Sequence, residues 1–192
     1  MNTSFALLLM AAPVLASSGR LVEGNPQAKV RVIVHEDLQC SDCAVFRRML
    51  DEKLLPKYGS VIAVEHRDFL LAKHAWAKPA AIAARFFDQQ DPKLGVTFRQ
   101  TMMAAQESIT AANFEAKLSA FAKTARVDPA KALAALKDEE LGKLVEADLA
   151  EGVARGVART PTVFVDGEPF IETFTVEEIS KGIDQAVARS KQ

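Results

Sequence analysis

The chain contains two cysteines, separated by two residues in the segment Cys40-Ser41-Asp42-Cys43. A sole pair at this spacing is typical of a redox-active dithiol, in which a thiolate attacks a disulfide and the second thiol resolves the mixed disulfide. One alternative is a short structural disulfide, which encloses too small a loop to stabilise the fold much. The other alternative is a pair of unreactive buried thiols.

The cysteines lie where a predicted strand turns into a predicted helix. Residues 29–35 form a β-branched run of strand length. After Cys40, apolar residues recur at steps of three and four, and Pro56 and Gly59 predict the end of this helix. The first turn of a helix offers free N–H groups and the positive end of the dipole, so we expect a stabilised thiolate at Cys40. Cys43, one turn further along the apolar face, is expected to be shielded.

The remaining pattern predicts a sheet interrupted by helices. Residues 61–69 alternate loosely as a second strand, so strand, helix and strand form a parallel crossover unit. From about residue 71 to 157 the apolar residues follow helical periods, which predicts an insert of four or five helices. Strand character returns at residues 162–165, Asp166-Gly167 predicts a hairpin turn, and Thr175 is placed to begin a final helix.

Length, charge and the first residues bound the class of protein. At 192 residues and 49% apolar, the chain is long enough for one well-filled core. With 24 basic and 25 acidic residues and no long basic stretch, nucleic acid is not an expected partner. Residues 5–15 form an apolar run that ends in Val14-Leu15-Ala16, a spacing that signal peptidase favours. We therefore expect a signal peptide at residues 1–16 and an exported mature chain at 17–192, most simply in a bacterial periplasm.

Two features of the N-terminus leave other interpretations open. No Lys or Arg precedes the apolar run, which is unusual for a signal peptide. The run is also short for a permanent transmembrane helix, which needs about 20 residues. The alternatives are retention as an N-terminal anchor, or a disordered or buried N-terminus of a cytosolic protein.

Three histidines, His35, His66 and His74, raise the question of a metal site, since thiolate and imidazole ligands suit copper or zinc. Only His35 is close in sequence to the cysteines, and a tetrahedral site normally shows more ligands at a recognisable spacing. The sequence therefore predicts neither a metal nor an organic cofactor.

A second motif combines with the cysteines into a recognisable order. Thr160-Pro161-Thr162 opens the returning strand, and an X-Pro bond there can be cis. Residues 37–43 (Asp-Leu-Gln-Cys-Ser-Asp-Cys), the helical insert opening at His74, and residues 156–167 (Gly-Val-Ala-Arg-Thr-Pro-Thr-Val-Phe-Val-Asp-Gly) follow one another over nearly the whole mature chain. This arrangement resembles the DsbA-like family of the thioredoxin superfamily.

The resemblance implies both a fold and an activity. The expected fold is α/β, a thioredoxin-like central sheet with a helical insertion domain. The expected activity is that of a thiol-disulfide oxidoreductase acting on protein or peptide substrates. Cys40 would exchange disulfides with the substrate, and Cys43 would resolve the mixed disulfide. Thr160 and Pro161 are then expected to bind substrate backbone, and a membrane redox partner to recycle the pair.

The residues around the cysteines depart from the family pattern. Many members carry Pro-His or Pro-Tyr between the cysteines, whereas Ser41-Asp42 introduces a carboxylate. The helix dipole contributes roughly 0.3–2 kcal/mol, and a carboxylate about 6 Å away opposes it by about 1–3 kcal/mol, so the two nearly cancel. We therefore expect Ser41, Asp42 and Asp37 to tune the acidity of Cys40, so that the protein is a mild oxidant.

Some members of the family bury an acidic residue six positions before the first cysteine. In this sequence that position is Val34. Glu36 and Asp37 remain as candidate proton-transfer groups, although a solvated loop position is the simpler expectation for Glu36. The functional alternatives are a disulfide reductase or isomerase, and a chaperone or copper-binding module on the same fold. Apolar Phe or Met side chains exposed near Cys40 would form a groove for unfolded substrates.

Overall fold

The computed structural model describes residues 20–192, so the predicted signal peptide at residues 1–16 lies outside the described part. One sheet of five strands has the order β1-β3-β2-β4-β5. The strands are β1 Val22–Gly24, β2 Val30–Glu36, β3 Ile62–Asp68, β4 Thr162–Val165 and β5 Glu168–Ile171. β2 and β3 are parallel, and the other neighbouring pairs are antiparallel.

Helices cover the sheet and form the insert. The helix α1 Ser41–Met49 continues through a π-helical turn, Leu50–Leu54, into α2 Leu55–Tyr58. The following helices are α3 Ala77–Gln90, α4 Pro92–Ala104, α5 Phe114–Thr124, α6 Pro129–Ala135, α7 Glu139–Ala154 and α8 Val176–Arg189, with a 3-10 turn Gln106–Ser108 between α4 and α5. Helices α3 to α7 lie between β3 and β4 in the chain, which confirms the predicted α/β fold with a helical insertion. None of the helices in residues 20–192 is both long and apolar enough to span a bilayer.

Two apolar cores meet at the start of α1. The first core lies between the sheet and the helices α1 and α8, where Val34, Val64 and Ile183 are fully buried. The second core fills the helical insert and reaches Cys40 and Cys43. The cysteines are therefore held between the sheet and the insert.

The end of the first helix and the first strand differ from the sequence-based expectations. Pro56 and Gly59 were predicted to end the helix, and the helical path passes Pro56 and ends at Tyr58 with Gly59 as its C-cap, so the predicted end is confirmed at Gly59 and wrong at Pro56. In the preceding π-helical turn the Leu55 N–H bonds to the Leu50 carbonyl, so the regular ladder that a proline interrupts is already shifted there. The strand β1 was not predicted, because three residues are too few to show an alternating pattern.

The final helix begins where the sequence predicts. The Thr175 hydroxyl accepts a hydrogen bond from the Glu178 N–H at 3.2 Å, and the Glu178 carboxylate accepts one from the Thr175 N–H at 2.7 Å. This reciprocal capping box satisfies two donors at the helix start and fixes the direction in which the chain enters α8.

Candidate active site

Cys40 is the residue immediately before α1 and has an extended backbone, with φ −80° and ψ 125°. Both cysteines are free thiols in this structure and are buried, with Cys40 6% and Cys43 1% exposed. The Cys40 thiol donates a hydrogen bond to the Thr160 carbonyl at 3.3 Å, and the Thr160–Pro161 peptide bond is cis. The fold thus brings the two motifs singled out in the sequence into direct contact.

The surroundings of Cys40 favour its thiolate. A hydrogen bond from the Cys43 thiol is the largest cause that lowers the pKa of Cys40, and burial opposes it. The Thr160 side chain and the backbone N–H groups of Cys43 and Asp42 lower the pKa further, to about 6. Amides of the first helical turn therefore stabilise the negative charge, as the strand-to-helix position predicts. At neutral pH Cys40 is mostly a thiolate.

Cys43 is in the opposite state. Burial raises the pKa of the Cys43 thiol well above its ordinary range, and the negative charges of Cys40 and Glu36 raise it further. The Asp37 N–H lies 3.4 Å from the Cys43 sulfur and donates to it. One sulfur is thus ionised and the other is a shielded thiol, so the two can take different steps of a disulfide exchange.

Asp37 holds the loop that precedes the cysteines. Its carboxylate is fully buried and accepts hydrogen bonds from the Gln39 N–H at 2.8 Å and from the Leu71 N–H at 2.9 Å. The ring of His74 lies 2.8 Å from the same carboxylate. Asp37 therefore joins the active-site loop to the start of the insert, and its carboxylate is occupied by these partners.

Sequence reasoning missed two glutamines that hold the same loop. The Gln106 side chain donates to the carbonyls of Leu38 and Cys40, both at 2.8 Å. The Gln39 side-chain oxygen accepts from the Trp76 N–H at 2.8 Å. No local pattern indicates these contacts, because Gln106 is 66 positions from Cys40 and a glutamine in a turn is ordinarily solvated.

Glu36 is buried, which corrects the expectation of a solvated loop position. It is the last residue of β2, is 3% exposed, and lies 2.8 Å from Nδ1 of His66 on the neighbouring strand. The other ring nitrogen of His66 lies 2.8 Å from Glu23 of β1, which accepts a hydrogen bond from Arg47 of α1 at 2.5 Å. A network of charges therefore crosses the sheet to Glu36, which also lies 3.5 Å from the buried guanidinium of Arg99, and the charge of Glu36 acts on Cys43.

The charges in this network stabilise one another. Burial alone would lower the pKa of His66, but the carboxylates of Glu36 and Glu23 raise it to about 9. Burial alone would raise the pKa of Glu23, but His66 and Arg47 lower it to about 2. The same imidazolium keeps the pKa of Glu36 below its ordinary value in spite of burial. At neutral pH the group is carboxylate, imidazolium, carboxylate.

The three histidines lie in different environments. His35 is fully buried, edge-on to Phe69 and Phe164, and neither ring nitrogen has a hydrogen-bond partner. Burial lowers the pKa of His35 to about 4. His66 lies between the carboxylates of Glu36 and Glu23, and the ring of His74 contacts the carboxylate of Asp37. Across residues 20–192, no cluster of three or more His, Cys, Asp or Glu is arranged to hold a metal ion.

Comparisons with known proteins agree with this geometry. A family model described as thioredoxin matches residues 16–185. Oxidised BdbD from Bacillus subtilis has a TM-score of 0.76 at 20% identity, with 89% of this chain and 94% of that chain covered. Wolbachia pipientis alpha-DsbA1 has a TM-score of 0.76 at 17% identity, with 95% of each chain covered. The thiol-disulfide exchange protein alpha-DsbA2 from the same organism has a TM-score of 0.73 at 20% identity, with 86% of each chain covered.

A search of curated proteins found no match. The family model covers most of the chain, and the solved structures share the fold over most of its length. The chain therefore belongs to the thioredoxin family, and its fold is that of the DsbA-like proteins.

Proposed function

We propose that the protein is a thiol-disulfide oxidoreductase that exchanges disulfides with protein or peptide substrates through Cys40 and Cys43. The observation that carries this proposal is the contrast between the two sulfurs. The pKa of Cys40 is lowered to about 6, while that of Cys43 is raised by burial. An ionised outer sulfur beside a protonated inner one is the arrangement that attack and resolution require.

In the oxidising direction the cycle begins with a Cys40–Cys43 disulfide. A substrate thiolate attacks the Cys40 sulfur, and Cys43 leaves with the electron pair and takes up a proton. A second substrate thiolate then attacks the substrate sulfur of the mixed disulfide, and Cys40 leaves as a thiolate. The substrate loses two electrons and two protons and gains a disulfide, while the protein becomes the dithiol. Reversal of the steps gives a reductase.

Thr160 and Pro161 are proposed to bind the substrate backbone. The Thr160 carbonyl accepts a hydrogen bond from the Cys40 thiol. A thiolate or a mixed disulfide has no S–H, so the carbonyl would then be free to accept a backbone N–H of the substrate. A substrate N–H bound to this carbonyl would position the substrate chain beside Cys40.

The favoured direction is mild oxidation. The pKa of Cys40, about 6, lies between the values near 7 and 3.5 that accompany a thioredoxin and a strong oxidant. A more stable thiolate stabilises the dithiol and makes the disulfide more oxidising. The backbone N–H of Asp42 lowers the pKa of Cys40, whereas the negative charge of its carboxylate is proposed to oppose this stabilisation. Asp42→His should therefore make the protein more oxidising, and a less oxidising variant would contradict the role of Asp42.

Export and recycling belong to the same proposal. A signal peptide at residues 1–16 would deliver a mature domain of residues 17–192, with its helical insert at about 71–157, to an oxidising compartment. A membrane redox partner would reoxidise the dithiol, since the cycle leaves two electrons on the protein. No cofactor is needed for these steps.

The deciding experiment measures turnover and potential together. Cys40→Ser should abolish oxidation of a dithiol peptide, and Cys43→Ser should trap the mixed disulfide at Cys40. Equilibration in glutathione buffers then gives the potential: about −120 mV indicates a strong oxidant and about −270 mV a reductase, with a mild oxidant between them. If the unmodified protein binds unfolded protein but turns over no dithiol, and Cys40→Ser leaves this binding unchanged, a chaperone is favoured; metal-dependent proton release would favour a copper-binding module.

A further inference from the structure

A groove of about 270 Å³ opens between α1, from Asp42 onward, and the segment that leads into α8. Its apolar floor includes Val45, Met49 and Phe174, and Val45 is 50% exposed. A concave surface with an apolar lining can receive an apolar side chain of a bound polypeptide. The sequence-based expectation named exposed Phe or Met side chains, whereas the most exposed apolar residue of this lining is Val45.

Two residues that line the groove connect it to the proposed active site. Asp42, on one wall, lies two residues after Cys40 in the first turn of α1. Glu172, on the other wall, donates its backbone N–H to the Pro161 carbonyl at 2.8 Å. A polypeptide joined to Cys40 would therefore have this groove directly beside its attachment point.

The rim of the groove carries one sign of charge. Asp42, Glu172 and Glu178 line it, and no Lys or Arg does so among the described residues. Glu172 is paired with Arg159 at 2.5 Å, but Arg159 is 65% exposed, so this pair can open at little cost. Hydrogen bonds from Thr175 keep the pKa of Glu178 below its ordinary value, so this carboxylate stays ionised.

We propose that this acid-rimmed groove selects substrate segments that carry Lys or Arg beside apolar residues, next to the reacting cysteine. The inference rests on the proposed thiol-disulfide exchange and names its substrate class. The apolar floor would take the neighbouring aliphatic or aromatic side chain, and the carboxylates would pair with the cation. Complementary charge at an exposed rim acts mainly on the rate of encounter and on the choice of partner.

Two matched peptides test this selection. Each contains the same cysteine pair and apolar residues, and one has Lys where the other has Glu. At low salt we expect kcat/KM for the Lys peptide to exceed that for the Glu peptide by roughly tenfold. The ratio should fall toward one as salt is raised to about 1 M, where the Debye length shrinks to about 3 Å.

The variant is Asp42→Asn combined with Glu172→Gln and Glu178→Gln. Because Asp42→Asn also changes the reactivity of Cys40, the readout is the ratio between the two peptides, in which a change of potential cancels. The Gln at 178 can still cap α8. Glu177→Gln is the control, since Glu177 is exposed on the same helical turn and does not line the groove.

The outcomes separate the two proposals. A Lys-over-Glu ratio that falls to about one in the triple variant and persists in Glu177→Gln supports the groove. Equal turnover of both peptides by the unmodified protein, or a ratio that the triple variant leaves unchanged, overturns it while exchange itself stands. If neither peptide is turned over, it is the proposed oxidoreductase function that fails.

Discussion

The Cys40 thiol donates a hydrogen bond to the Thr160 carbonyl at 3.3 Å, although the two residues are 120 positions apart. Thr160 offers two groups to the same sulfur. Its carbonyl accepts from the thiol, and its buried hydroxyl has no hydrogen-bond partner of its own. The hydroxyl can therefore donate to the thiolate that replaces the thiol, which agrees with the contribution of the Thr160 side chain to the lowered pKa of Cys40.

Replacement of Thr160 should make Cys40 less acidic. In Thr160→Val the hydroxyl donor is lost and the shape is kept, so the pKa of Cys40 should rise by roughly half a unit to one unit. Titration of thiolate absorbance in the reduced protein measures this shift. Thr160→Ser should restore the lower value, and Thr124→Val, at an exposed hydroxyl of α5, should leave it unchanged. A Val variant with an unaltered titration would exclude the hydroxyl as a donor.

The charge of Glu36 should contribute to the low acidity of the resolving thiol. Burial is the largest cause that raises the pKa of Cys43, and the negative charge of Glu36 adds to it, so Glu36→Gln should lower this pKa and shift release of glutathione from a Cys40 mixed disulfide to lower pH. The measurement is the rate of release against pH. A profile that stays in place, or moves to higher pH, would contradict this coupling.

Two observations accompany that experiment. Removal of one partner from a buried ion pair costs about 3–5 kcal/mol, so circular dichroism must show that the Glu36→Gln variant is folded. The control is Glu65→Gln. Glu65 points to the face of β3 opposite to that of His66, and it pairs with Arg31 and Arg67. That control should leave the pH profile of glutathione release unchanged.

Because of two histidines, the free energy of unfolding should be greatest near pH 6.5. The folded pKa of His66 is raised from 6.5 to about 9, so its contribution is complete below pH 6.5 and is lost as pH rises toward 9. The folded pKa of His35 is lowered from 6.5 to about 4, so its contribution is complete above pH 6.5 and is lost as pH falls toward 4. Each loss corresponds to about 3 kcal/mol.

Urea unfolding between pH 4 and pH 9 measures this dependence. The experiment uses Cys40→Ser combined with Cys43→Ser, so that the thiols, whose pKa values also differ from their ordinary range, do not titrate. In that background His66→Gln should flatten the alkaline side and His35→Leu the acid side. A stability that rises from pH 6.5 to pH 9 would show that His66 is not held as an imidazolium.

Gln106 is expected to act as a positioning residue for Cys40. In Gln106→Leu the carbonyls of Leu38 and Cys40 lose a shared donor, so the start of α1 is held less firmly and the pKa of Cys40 should rise by roughly half a unit. Gln106→Glu should raise it more, because a carboxylate cannot donate and adds a negative charge.

Thiolate titration separates this role from a merely structural one. If Gln106 only stabilises the insert, both variants lower the midpoint of unfolding and leave the pKa of Cys40 where it is. Gln89→Leu, at an exposed glutamine near the end of α3, is the control for loss of an amide. An equal pKa of Cys40 in the Leu and Glu variants would also contradict the proposed positioning role of Gln106.

The sequence by itself determined the Cys40–Cys43 spacing, its place at a strand-to-helix junction and, apart from β1, the order of strands and helices around the insert. Spacing, β-branched runs and helical periods are local properties, so they can be read without coordinates. The resemblance added the contact between the cysteines and the Thr160-Pro161 motif, because it supplied a fold in which those segments meet.

Tertiary structure alone decided which polar residues are buried and what they contact. Glu36 follows a strand and looks like a solvated acid, but His66 on the neighbouring strand and Glu23 on an unpredicted one give it a buried partner network. Gln106 reaches the active-site loop only because the insert folds back over it. The physical reason is the same in both cases: burial and hydrogen bonding depend on which distant segment covers a residue, and no local pattern carries that information.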